Sequence, residues 1–167
     1  MITIKKAKES DFEGYYRIWY QMELMHQKKF FKGVKKELFK INFNKDLKNK
    51  IKKIYLKIIR KRKDCLFIAL ENNKVIGFIE IGQRVAKRPT MKLNKIKEGF
   101  IWDLAMDKKH QGKGNASLLK KESYQWFKAR KIKYVYLSYD PNNKHAERVY
   151  KKWGFIIDMK RVVAKIK

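Results

Sequence analysis

Cysteine, proline, glycine and acidic residues are all scarce in this sequence. Cys65 is the only cysteine among 167 residues, which excludes an intrachain disulfide framework and a four-cysteine zinc site. Two prolines and eight glycines exclude collagen-like repeats and low-complexity linkers. No apolar run reaches the roughly 18–20 residues needed to span a bilayer. Residues 1–12 carry neither the long apolar stretch nor the small-residue cleavage site of a signal peptide. The expectation is a cytoplasmic chain with no membrane association. His26, His110 and His145 stand apart, with no His-x-x-x-His or paired-cysteine spacing, so no metal is expected.

What is present is a folding sequence. Hydrophobic residues make up 44% and aromatics 14%, enough to bury one sizeable core and too apolar for disorder. No composition break or repeat divides the chain, so residues 1–167 are read as a single domain. Forty-four Lys and Arg face 16 Asp and Glu, a net charge of +28, and such a field attracts polyanions. Two explanations stand: a bias toward Lys, Ile and Asn, or an electrostatic footprint for an acidic partner. Residues 35–63 hold 13 basic and 2 acidic residues, 13 − 2 = +11. Within them Leu47, Ile51, Ile54, Tyr55, Ile58 and Ile59 recur at helical spacing. The lysines therefore line the outer face of an amphipathic helix, as a solvated surface or as that footprint.

Residues 1–6 alternate as a short strand. Ser10 or Asp11 is placed to cap a helix bearing Phe12, Tyr15, Tyr16, Trp19 and Met22. The basic helix follows, capped by Asn44 and ending near Lys63. Residues 65–70 form an apolar strand, Asn72-Asn73 a hairpin turn, and residues 74–83 the return strand. Residues 84–95 read as a polar loop and 96–106 as a long strand. A helix over 117–131, a strand over 134–139 and a helix over 143–153 ending at Gly154 come next. Residues 155–166 read as one strand or a tight pair. Hairpins mixed with crossovers give a mixed α/β (α+β) sheet domain with helices on its faces.

The most informative segment is residues 102–119, where a strand enters a turn containing Gly112 and Gly114 and then an amphipathic helix. Glycines let backbone approach a ligand closely. The first helical N–H groups lack intrahelical partners and sit at the positive end of the macrodipole. Together they form a phosphate site with Lys113 beside it, or else only a turn from strand to helix. The spacing matches neither a P-loop nor a dinucleotide fingerprint. Downstream, Asn143 begins a helix with Ala146 and Tyr150 on one face and Gly154-Phe155 beyond its end. Alone, this is a capped helix with a core tyrosine.

Gln111-Gly-Lys-Gly-Asn-Ala116 resembles the Gln/Arg-x-x-Gly-x-Gly/Ala signature of the GNAT superfamily of acyl-CoA-dependent N-acetyltransferases. The run from Asn143 to Phe155 resembles its second signature, Asn-x-x-Ala-x-x-x-Tyr-x-x-x-Gly-Phe, at every defined position. The likeness is firm over residues 66–155 and loose over the first 60. It implies a central, mostly antiparallel twisted sheet of six or seven strands, about four flanking helices, and a V-shaped splay between the fourth and fifth strands. It also implies acetyl-CoA as cosubstrate. Its pyrophosphate would lie on Gln111, Gly112, Lys113, Gly114, Asn115, Ala116 and Ser117, and its pantetheine arm along Leu104, Ala105 and Met106 and against Asn143. Lys144, Arg148 and Lys151 are candidates for the ribose 3′-phosphate.

By the same resemblance Tyr150 is the general acid toward the departing thiolate, in direct transfer to a primary amine within a ternary complex. The candidate bases are Asp103, Glu98 and Glu80. Trp102 stands where relatives often place an acid, which leaves a water relay or a carboxylate elsewhere open, and Asp103 is read both as base and as structural residue. The partners are acetyl-CoA and an amine acceptor: a small amine, an aminoglycoside-like compound or a protein amine. Acceptor choice is expected in the first two helices and in residues 84–95. The chain is expected as monomer or homodimer, with weak nonspecific polyanion binding. The other class of reading is a basic GNAT-like module bound to nucleic acid or a ribosomal surface with little catalysis.

Overall fold

The computed structural model describes residues 1–87 and 95–159. Five strands form one sheet: β1 Ile2–Lys6, β2 Asp64–Glu71, β3 Lys74–Lys87, β4 Lys95–Met106 and β5 Tyr134–Leu137, in that spatial order. The first three pairings are antiparallel, and β5 lies parallel to β4. Asn72 and Asn73 both take positive φ, 48° and 61°, as a tight turn joining β2 to β3 requires.

Helices cover both faces. α1 Phe12–Met25, α2 Val34–Leu38 and α3 Leu47–Arg60 precede β2, α4 Asn115–Ala129 follows β4, and α5 Lys144–Lys152 follows β5. α1 and α3 bury Phe12, Tyr15, Ile18, Ile51 and Tyr55 against Leu66, Ile68, Phe78 and Ala105 of the sheet. On the opposite face Leu119, Trp126 and Phe127 of α4 meet Phe67, Ile79, Ile81 and Ile101. The period-two alternation Phe78-Ile79 and Ala105-Leu104 assigns side chains to these two faces. Tyr55 and Phe78 are fully buried, each contributing about 1.5–3 kcal/mol.

The sheet has five strands among the described residues, fewer than the six or seven expected, and five helices rather than four. Residues 155–159 form no ladder, and Ile156, Ile157 and Met159 stay exposed; apolar alternation without a partner strand makes no strand. The rest of that expected strand lies outside the described residues. The expected loop over 84–95 is shorter. β3 runs on to Lys87, and Arg84 stands opposite Glu98 with Nε 3.0 Å from Oε2, a cross-strand charge pair that offsets the polar composition. Residues 88–94 of that loop lie outside the described residues. Asp11 does not cap α1 through its side chain; its carboxylate instead accepts from the Lys8 amide at 2.8 Å and from Lys5 Nζ at 3.1 Å.

α1 lies very close to β3. A Cβ on Gly14 would sit 2.6 Å from Val75 Cβ, inside any tolerable contact. Gly14→Ala should therefore lower stability by about 1–3 kcal/mol. Val75 Cγ2 would lie at the same 2.6 Å, so Val75→Ala, which removes it and keeps Cβ, should recover part of that loss in the double variant, read by denaturant unfolding of all four proteins.

Candidate active site

The site is built where β4 stops being paired. β5 meets β4 only at residues 98–101. From Trp102 to Met106, β4 has no neighbour on that side among the described residues, and the sheet opens as a V. A bulge falls at the same place. Glu80 stands opposite Asp103 but Ile81 opposite Ile101, so Trp102 is an extra residue in the ladder. A bulge re-aims the side chains beyond it. Ile101 faces α4; without the bulge Asp103, two residues on, would too. With it, Asp103 faces α1 beside Glu80. Trp102 itself stays half exposed and stacks on Phe100 at 4.7 Å, which stacks on Tyr136.

Glu80 and Asp103 are partly buried cross-strand partners, and among the described residues neither makes a hydrogen bond or an ion pair. Burial, then the Asp103 charge, pushes Glu80 up to about 7. Burial, then Glu23, pushes Asp103 up to about 6, with His26 pulling the other way. Tyr15 of α1 is held above its ordinary range by burial first and by both carboxylates next, so it remains a phenol over them. Glu23 and His26 come from the end of α1, where the helix widens into a π-turn over His26–Phe30, a feature frequent at functional sites. Glu98 is fully buried and paired with Arg84, which removes it as a free base.

Tyr150 lies half buried on α5 between Tyr139, Trp153 and Phe155, with ring centroids at 5.7, 5.9 and 6.0 Å. Burial and then Asp103 push its hydroxyl up to about 12. Tyr150 and Asp103 thus share one electrostatic environment. Asn143 caps α5 by accepting from the Ala146 amide at 3.1 Å, which leaves its own side-chain NH₂ to donate elsewhere. Lys144 is paired with Glu147, whereas Arg148 and Lys151 project into solvent.

The turn after β4 is a braced, open loop. Gly112 and Gly114 take φ of 74° and 79°, and nothing lies within 4 Å of a Cβ placed on either. Gly114 is the N-cap residue of α4, and no side chain caps that end. The Ser117 amide donates to the Gly114 carbonyl at 2.9 Å, whereas the Asn115 and Ala116 amides are available to an anion, and the residues present fit a pyrophosphate. Gln111 Nε2 donates to the Met106 carbonyl at 2.9 Å and Asn115 Nδ2 to the His110 carbonyl at 3.1 Å. These two side chains shape the loop rather than face a ligand. At the loop's start the Arg17 guanidinium reaches from α1 to Asp107 and to the Val75 carbonyl, holding the Asp107 carboxyl below its ordinary range. His110 Nε2 lies 3.0 Å from Glu71 Oε2.

The structure thus sets Glu80 opposite Asp103 on β3 and β4, puts Tyr150 in electrostatic reach of Asp103, and places the glycine loop just beyond the end of β4. Sequence reasoning missed the bulge at Trp102, the contribution of Glu23, and the Arg17–Asp107 tie. The last joins residues 90 apart, and no local pattern announces it. No group of three or more His, Cys, Asp or Glu among the described residues is placed to hold a metal ion, and no helix among them is long and apolar enough to cross a membrane.

A raised carboxyl costs stability when it ionises. The folded chain holds the Glu80 proton more tightly than the unfolded chain does. Stability is therefore greatest below its ordinary value of 4.5 and falls as pH rises toward about 7. Glu80→Gln should raise Tm by roughly 2–4 °C at pH 8, about 1 kcal/mol in a chain of this size, and by less at pH 5. Scanning calorimetry at both pH values reads the difference.

Known proteins share this architecture. The Acetyltransferase (GNAT) family matches residues 19–155. N-alpha-acetyltransferase 30 of Schizosaccharomyces pombe is 29% identical over 112 residues, covering 66% of this chain and 71% of that protein. A predicted acetyltransferase of Clostridium acetobutylicum, solved with acetyl-CoA, superposes with a TM-score of 0.73 at 20% identity over 99% of this chain and 96% of that one. An aminoglycoside antibiotic 6′-N-acetyltransferase of Acinetobacter haemolyticus superposes with a TM-score of 0.69 at 13% identity over 99% and 98%. The family match across most of the chain, with the splayed sheet and the open loop in the places that both signatures mark, shows that the chain belongs to the GNAT family and is an acetyl-CoA-dependent N-acetyltransferase.

Proposed function

We propose that the chain acetylates a cationic primary amine by direct attack within a ternary complex, with Tyr150 as general acid and Asp103, backed by Glu80, as general base. The observation that carries this reading is the unbonded carboxylate pair at the bulge, in electrostatic reach of Tyr150. Acetyl-CoA supplies the activated acetyl thioester. Main-chain amides of residues 111–116, with Lys113 and the Ser117 hydroxyl, receive its pyrophosphate. The free edge at Leu104, Ala105 and Met106 and the side-chain NH₂ of Asn143 receive its pantetheine arm. The Met106 carbonyl is already engaged by Gln111, so Leu104 and Ala105 carry more of that pairing.

An amine arrives as an ammonium ion and must lose a proton before it attacks. Carboxylates near 6 and 7 are ionised enough at neutral pH to accept it and weakly solvated enough to hold it. They also attract the cation into a cleft of an otherwise strongly basic protein. As the carbon–nitrogen bond forms and the carbon–sulfur bond breaks, charge develops on sulfur. Tyr150 is fully protonated at neutral pH and donates its proton there, a contribution typically worth about 10²- to 10⁴-fold. The similar proteins are named for protein N-termini and for an aminoglycoside amine; both are positively charged primary amines, and the acidic floor suits either.

An amine panel with acetyl-CoA, read by free-thiol release, tests the reading: peptide α-amines, peptide lysines, polyamines and aminoglycosides. No release above hydrolysis with any of them would end it. Tyr150→Phe should lower turnover by about 100-fold or more while acetyl-CoA affinity, read by calorimetry, stays within about twofold. The wild-type rate should climb as pH rises through about 6 to 7, and Asp103→Asn should flatten that limb. A Tyr150→Phe enzyme with unchanged turnover, on an acceptor for which chemistry limits the rate, would remove the tyrosine from the role.

A further inference from the structure

Acetyl transfer leaves the largest feature of the sequence unused. α3 reads LKNKIKKIYLKIIR and contains no acidic residue. Its apolar stripe, Leu47, Ile51, Tyr55 and Ile58, is buried against the core. The opposite side carries Lys50, Lys53, Lys57 and Arg60, all exposed, at spacings of three, four and three that keep them on one face, and exposed Lys61 follows as the C-cap. Lys50 is paired with Asp46 at 3.1 Å, Arg60 with Glu9 at 3.8 Å and Lys61 with Asp64 at 3.2 Å. Lys53 and Lys57, at the middle of the row, have no acidic partner within 4 Å among the described residues. Ile54, 52% exposed, lies between them.

We infer that this face of α3 docks the phosphate backbone of nucleic acid without reading its sequence. The row from Lys50 to Lys61 extends about 16 Å at 1.5 Å per residue. A nucleic-acid strand carries one phosphate per ~3.4 Å of axis, so the row faces about four or five of them. The face has no pocket and no donor array suited to a particular group; it offers evenly repeated charge, which matches a polymer of evenly repeated charge. An anionic bilayer fits less well. A basic amphipathic helix binds lipid by burying its apolar side in the membrane, and that side of α3 is already in the core. α3 packs on β2 and α1, and Lys61 at its end lies in electrostatic reach of Glu80. This inference does not depend on acetyl transfer.

Fluorescence anisotropy of the full chain with a 20-nucleotide RNA and a 20-base-pair DNA, between 50 and 300 mM KCl, tests it. For about four phosphates the log–log slope with salt should be roughly −3 for the single strand and −4 for the duplex. Lys50→Glu/Lys53→Glu/Lys57→Glu should weaken RNA binding at least about tenfold at 50 mM salt and flatten the slope by about 2. Lys→Gln at the same three positions should act in the same direction with a smaller effect. Lys128→Glu/Lys131→Glu/Lys133→Glu carries the same total charge change on another face and should retain both affinity and slope. Melting temperature and acetyl-CoA affinity report whether each variant is folded. Equal losses in the two charge-reversed variants would assign the binding to net charge and overturn the inference. A slope near zero, or phosphatidylserine vesicles captured at salt concentrations where RNA is not, would also overturn it.

Discussion

One extra residue in the β3–β4 ladder decides what the cleft can do. Every side chain of β4 takes its face from strand alternation, and Trp102 shifts that alternation by one. Beyond it, Asp103 joins Glu80 on the α1 face while Leu104 and Met106 turn to the α4 side. The pairing with β5 ends at the same point, so the strand becomes a free edge where its polar side chain comes to face a partner carboxylate. The facing carboxylates and the free strand edge thus share a single local cause.

Electrostatically, the cleft is an exception within its own protein. A chain with 44 basic and 16 acidic residues repels cations at long range. Yet Glu23, Glu80 and Asp103 converge beneath α1, with only His26 opposing them at Asp103. Burial first, and neighbouring carboxylates next, raise Glu80 to about 7 and Asp103 to about 6, a state that solvent would not allow them. The stability lost to this arrangement is recovered elsewhere, in the aromatic cluster of Phe12, Tyr15, Tyr55 and Phe78.

Local patterns carried much of this in the sequence. The apolar stripe of α3, the Asn-Asn turn, the glycine loop and the Asn143 cap each depend on residues close in sequence, and each is present in the fold. The two signatures, short and glycine-marked, fall on the open loop that begins α4 and on α5. Features that depend on partners far along the chain were not legible. Nothing near Trp102 distinguishes a bulge from regular alternation; the Arg84–Glu98 pair that extends β3 and β4 spans what reads as a loop. Residues 155–159 show the converse: a short apolar run, Phe155-Ile156-Ile157, forms no strand where no neighbour pairs with it among the described residues.

The tie between Arg17 and Asp107 joins α1 to the turn that follows β4. Gly14, pressed on Val75 one turn earlier, fixes the same end of α1. The helix is thus pinned at two points near its beginning, while its far end runs on into the π-turn of His26–Phe30. Any tilt of α1 would pivot about Gly14 and Arg17 and be largest at Glu23 and His26.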